Sequence, residues 1–148
     1  RTGIMKEIML SENQYRALLK IIYLGSWMAN SFRDDPIPEL ESIEQYIYSF
    51  AGEFGCSHLV RHDEELREYF PSDSLVKLMD IFVDEYNDET LWEELSVLLA
   101  RRDMVRNLGE KKVNSMSENE RMKSEDAIVQ KYYREFERNG IMNIHFKE

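Results

Sequence analysis

The chain reads as a mostly α-helical protein: a single domain over residues 1–148, built as a bundle of about six helices with a short two-stranded ribbon joining the termini. Three observations predict it. Two Ser-x-x-Glu/Gln capping boxes stand before long amphipathic stretches, apolar residues recur at spacings of three and four, and only three prolines and six glycines interrupt the chain.

The first helix opens at Ser11-Glu12-Asn13-Gln14, where the Ser11 hydroxyl can accept from the Gln14 amide and the Gln14 side chain can reach back. Leu10 and Tyr15 occupy the staple positions, and Tyr15, Leu18, Leu19, Ile22 and Ser26 trace one face. Gly25 costs this helix about 1 kcal/mol relative to alanine, which predicts a close approach by another backbone. Asp34-Asp35-Pro36-Ile37-Pro38 ends it. A second helix carries Leu40, Ile43, Ile47, Phe50 and Phe54, with Gly55 free to take positive φ. Residues 63–70 read as a short helix halted by Pro71. Ser72 or Asp73 caps a fourth helix bearing Leu75, Leu78, Met79, Phe82, Val83 and Tyr86. Asn87 or Asp88 caps a fifth that buries Leu91, Trp92, Leu95, Leu98 and Leu99 and ends near Gly109. Residues 110–116 form a polar loop, and Ser117-Glu118-Asn119-Glu120 opens a sixth helix running to Asn139-Gly140. Short apolar runs at 4–10 and 141–146 read as strands whose pairing would satisfy their backbone groups.

Composition narrows the function. The longest apolar run, Ile21-Ile22-Tyr23-Leu24, is far too short to span a membrane, and Arg1 to Lys6 holds no apolar core of a secretion signal. The single cysteine, Cys56, excludes an internal disulfide and reads as a buried thiol. Together these favour the cytoplasm. Residues 1–100 hold eight Lys/Arg against twenty Asp/Glu, and the whole chain carries a net charge of −10. A surface this acidic repels phosphate backbones, which argues against general nucleic-acid binding.

Two constellations could carry chemistry. His58 and His62, four apart, would share one face of a helix at metal-ligand spacing, with Asp63 beside them. His62-Asp63 also resembles the doublet of HD-type phosphohydrolases, although no histidine precedes His58 to supply that family's first ligand. Arg138 and His145, with six residues between them, are similar to the Arg-x(4–6)-His signature of HEPN-type ribonucleases. There the resemblance implies a histidine acting in RNA cleavage and an arginine stabilising phosphate charge. Asn139-Gly140 breaks the helix between them. Neither set forms a complete catalytic or metal-binding group, so no cofactor is expected and an enzyme is the second reading. The leading reading is a non-enzymatic interaction or accessory module, with a small nuclease or metal-dependent phosphohydrolase as its alternative.

Ser11-Glu12-Asn13-Gln14-Tyr15 leading into Leu24-Gly25-Ser26-Trp27, Glu44-Gln45-Tyr46-Ile47-Tyr48, and Trp92-Glu93-Glu94-Leu95 leading into Ala100-Arg101-Arg102-Asp103 together resemble a family of small, uncharacterised bacterial cytosolic proteins. The resemblance implies a bacterial cytosolic domain and brings no activity, cofactor or partner.

The least ordinary local feature is acidic. Asp80, Asp84, Glu85, Asp88, Glu89, Glu93 and Glu94 place seven carboxylates within residues 80–94, with no lysine or arginine among them. A break at Asn87 or Asp88 would put Asp88 and Glu89 at a helix N-terminus, which favours anions. The cluster Arg101, Arg102, Arg106 could neutralise the rest from within. Unneutralised, Asp80, Asp84, Glu85, Asp88 and Glu89 would present a docking surface to a basic protein partner. Tyr48 and Tyr133, off the main stripes of their helices, are further candidates for a contact surface.

Overall fold

The computed structural model describes residues 6–145. Among them are five helices and one two-stranded antiparallel sheet, a mostly helical architecture with a short ribbon. The chain groups into two compact units, one through Val83 and one from Asp84.

The first unit holds α1 (Glu12–Asn30), α2 (Pro38–Ser49), β1 (Val60–Asp63), β2 (Glu68–Pro71) and the opening of α3 (Asp73–Leu108). The α1 capping box forms as the sequence predicts: the Gln14 amide donates to Ser11 Oγ at 3.4 Å, and the Ser11 amide donates to Gln14 Oε1 at 2.9 Å. At the other end Asn30 Oδ1 accepts from the Ile37 amide, closing the loop between α1 and α2, and Pro38 takes a first-turn position in α2 where a missing N–H does no harm. The core gathers Tyr15, Leu19, Tyr48, Ala51, Cys56, Leu59, Leu75 and Met79. Tyr15 stacks on Phe54 at 4.2 Å and donates its hydroxyl to the Ile47 carbonyl, tying α1 to α2. Cys56 is buried, as expected.

Residues 60–71 form a hairpin, not a helix, with Val60 opposite Pro71 and His62 opposite Tyr69. Asp63 Oδ1 accepts from the Glu65 and Leu66 amides, an Asx turn that starts the reversal, and Arg67 completes it at φ 55°. The free edge of β2 is not left open. Gln45 on α2 donates Nε2 to the Tyr69 carbonyl and accepts the Tyr69 amide on Oε1, both at 2.7 Å. Because both Tyr69 backbone groups face Gln45, His62 and Tyr69 form a pair without mutual backbone bonds, the close-side-chain kind, and their rings sit 4.7 Å apart. Ser72 settles the α3 cap: its Oγ accepts the Leu75 amide and donates to the His58 carbonyl.

The second unit holds the rest of α3, a short α4 (Glu110–Ser115) and α5 (Glu118–Asn139). The expected break at Asn87 or Asp88 does not occur, and α3 runs unbroken to Leu108. Neither proline nor glycine stands between Pro71 and Gly109, so local capping residues face a continuous helical alternative. The expected loop at 110–116 is largely α4. The second capping box forms at Ser117 and Glu120, and α5 ends at Gly140 with φ 54°. Trp92 meets Phe136 at 5.3 Å, and Ser96, Ala100, Met104 and Phe136 are buried.

The expected terminal strands are not seen in residues 6–10 or 141–145; the latter fold into turns that accept from Met142 and Ile144 amides. The remaining residues of those runs lie outside the described residues. Gly25 faces open space: apart from its chain neighbours and the backbone of its own helix, nothing lies within 4 Å of where a Cβ would stand, so the expected approach of another backbone does not occur. Leu91 and Leu98, expected in the core, are 53% and 59% exposed.

Candidate interaction surface

The histidines do not share a helix face. His58 lies exposed in the turn before β1, and His62 lies exposed on β1 against Tyr69. Asp63 spends one carboxylate oxygen on the hairpin turn. The Leu66 amide, then the Glu65 amide and Arg61, hold its pKa below the usual carboxylate value. Its other oxygen is 3.5 Å from Arg61. Among the described residues no three His, Cys, Asp or Glu side chains gather at a common point that could hold a metal.

Arg138 is in the last turn of α5, and His145 follows the turns beyond Gly140, both exposed. Arg138 borders a shallow groove on α5 with Ala127, Gln130, Lys131, Arg134 and Glu135, and His145 is not part of its lining. Glu135 accepts from Asn143 and Asn139, which fold the segment after Gly140 back along the helix and lower the Glu135 pKa.

Two of the three arginines expected to offset the acidic stretch, Arg101 and Arg102, are engaged elsewhere, and Arg106 forms no ion pair with it. Arg101 pairs with Glu125 on α5 at 2.7 Å. Arg102 binds its neighbour Asp103 at 2.8 Å and the Tyr132 hydroxyl at 3.0 Å. Tyr132 in turn donates to Asp103 at 2.5 Å, so one tyrosine, one carboxylate and one guanidinium close a ring between α3 and α5. The Tyr132 hydroxyl, assisted by Arg102, holds the Asp103 pKa below its ordinary value, while burial and Asp103 raise that of Tyr132. Nothing in the sequence marks this triangle, because Tyr132 lies 30 and 29 residues from the adjacent Arg102 and Asp103 and shares no motif with them.

Of the acidic residues, Asp80 belongs to the first unit, where its charge helps raise the Tyr23 pKa behind the larger effect of burial. Asp84, Glu85, Asp88, Glu89, Glu93 and Glu94 belong to the second unit and are all exposed. No described lysine or arginine forms an ion pair with any of them. Asp88 and Glu89 are correspondingly not at a helix start. They stand about four turns inside α3, where the helix dipole gives an anion nothing. Tyr48, offered by the sequence as a contact residue, is fully buried, while Tyr133 stays 40% exposed.

Compared with models of protein families, with curated proteins and with solved structures, the chain matches none. Among the described residues no helix is long and apolar enough to cross a membrane.

Proposed function

We propose that this protein is a non-catalytic interaction module of the bacterial cytoplasm whose acidic helix surface takes a basic protein partner. The observation that carries the reading is the set of six exposed carboxylates on one continuous stretch of α3, without ion-pair partners among the described residues. The pairs Asp84/Asp88, Glu85/Glu89 and Glu89/Glu93 are like charges at i,i+4 spacing, each destabilising by about 0.2–0.5 kcal/mol. A cationic partner removes that repulsion and adds attraction.

The test captures partners from lysate with the wild type and with an Asp84→Asn/Glu85→Gln/Glu89→Gln variant. A basic protein retained by the wild type should be lost in the variant and at high salt, since attraction between exposed charges is screened within about 10 Å at 0.1 M. Identical partner sets for the two proteins would refute the reading.

A further inference from the structure

Leu91, Leu98 and Val105 recur every seven residues along α3 and are 53%, 59% and 42% exposed. The buried residues of the same stretch are instead Ser96, Ala100 and Met104. Leu98 lies two positions from both Ser96 and Ala100, about 160° away around the helix. Ser96 and Ala100 are buried while Leu91 and Leu98 stay more than half exposed, the reverse of the usual sorting by burial, and Val105 borders a groove with Met104, Val113, Arg121 and Glu125 at one end of the line. Seven-residue spacing keeps such a line straight along a helix, the pattern of a seam between two helices.

The charge along the same stretch is polarised. Residues 84–95 carry six carboxylates and no cation, whereas Arg101, Arg102 and Arg106 stand against Asp103 alone over the last turns of α3. A parallel pairing of two such helices sets carboxylates against carboxylates. An antiparallel pairing centred on Leu98 sets Glu94 of each copy opposite Arg102 of the other, and it is satisfied twice in a closed twofold arrangement.

We propose that the exposed seam of α3 is a self-docking surface: two copies of the chain pair antiparallel, with Leu98 opposite Leu98 of the second copy, Leu91 opposite its Val105, and Glu94 opposite its Arg102. Arg101 and Arg102 keep their bonds to α5 and remain 64% and 43% exposed at their side chains. A guanidinium has five N–H donors, so each has donors left for the second copy. The contact uses residues other than the Asp84, Glu85 and Glu89 tested for partner capture. Self-association and partner binding can therefore fail separately.

The experiment is sedimentation equilibrium with the full chain, its Leu98→Glu variant, and cysteine variants placed on the seam. The wild type should rise with concentration from 17.7 kDa towards twice that mass, with a dissociation constant that increases with salt. Leu98→Glu should weaken the dimer by at least about tenfold while circular dichroism keeps its helical signal. Under mild oxidation Leu98→Cys should cross-link to itself, because its twofold mate is the same residue. Leu91→Cys should not, since the register separates its two copies by about 21 Å along the seam. A mixture of Leu91→Cys and Val105→Cys chains should cross-link to each other. Buried Cys56, present in every sample, sets the background. A wild type that stays at 17.7 kDa at its highest soluble concentration overturns the proposal, as does Leu91→Cys that self-links as fast as Leu98→Cys.

Discussion

Replacing Gln45 by alanine tests whether a side chain on α2 holds the hairpin in place. Gln45 makes two bonds of 2.7 Å to the backbone of one residue, Tyr69, at the otherwise open edge of β2. Each bond contributes about 0.5–1.5 kcal/mol net, and its loss strands a half-buried amide or carbonyl. The first unit should therefore lose about 1–3 kcal/mol, with the lower end reached if water enters the vacated space. Gln45→Glu separates the two bonds. It keeps an acceptor for the Tyr69 amide but faces the Tyr69 carbonyl with a second acceptor, so it should not recover the wild-type stability. Urea unfolding followed by a probe in the first unit gives the free energy, and hydrogen exchange at the Tyr69 amide reports the bond itself. A loss below about 0.5 kcal/mol with unchanged Tyr69 exchange would show that Gln45 does not anchor the strand.

Three further outcomes follow from the same structure. Ser96 is fully buried and its hydroxyl has no partner among the described residues, so Ser96→Ala should leave thermal stability unchanged or raise it by up to about 1 kcal/mol, measured by calorimetry. Arg67 is the one described non-glycine residue at positive φ, and Arg67→Gly should stabilise the hairpin by about 1 kcal/mol, read in urea midpoints; a destabilised variant would contradict the strain argument. Asp103 has its pKa lowered by the fold, so its contribution is present above its unfolded pKa and is lost as pH falls through the folded one. Tyr132→Phe, which removes the largest cause, should lower stability at neutral pH by about 1 kcal/mol and flatten the acid limb of the stability profile, measured by denaturation across pH.

What was legible in the sequence is what neighbouring residues decide among themselves. The two capping boxes act over three residues, and both form. Pro38 stands at the start of α2 and Gly140 ends α5, because their backbone restrictions or freedoms need no distant partner. Tertiary contacts decided the rest. The sequence predicts a short helix over residues 63–70 where the hairpin of residues 60–71 forms, because the hairpin's anchor, Gln45, lies 24 residues from Tyr69. Asn87 and Asp88 are good caps in isolation, yet an unbroken run without glycine or proline carries α3 through them. Three-and-four spacing placed Leu91 and Leu98 with Trp92 and Leu95, but a helix with apolar residues on several sides leaves its buried face open. The contacts of Trp92 with Phe136 and Asp103 with Tyr132 lie on one side of α3, and Leu91 and Leu98 fall away from it. The acidic residues were visible as a cluster from composition alone. That they stand exposed on α3, without ion-pair partners among the described residues, needed the structure, in which Arg101 turns to α5 and Arg102 to Asp103, since an exposed charge chooses its partner by distance and not by order in the chain.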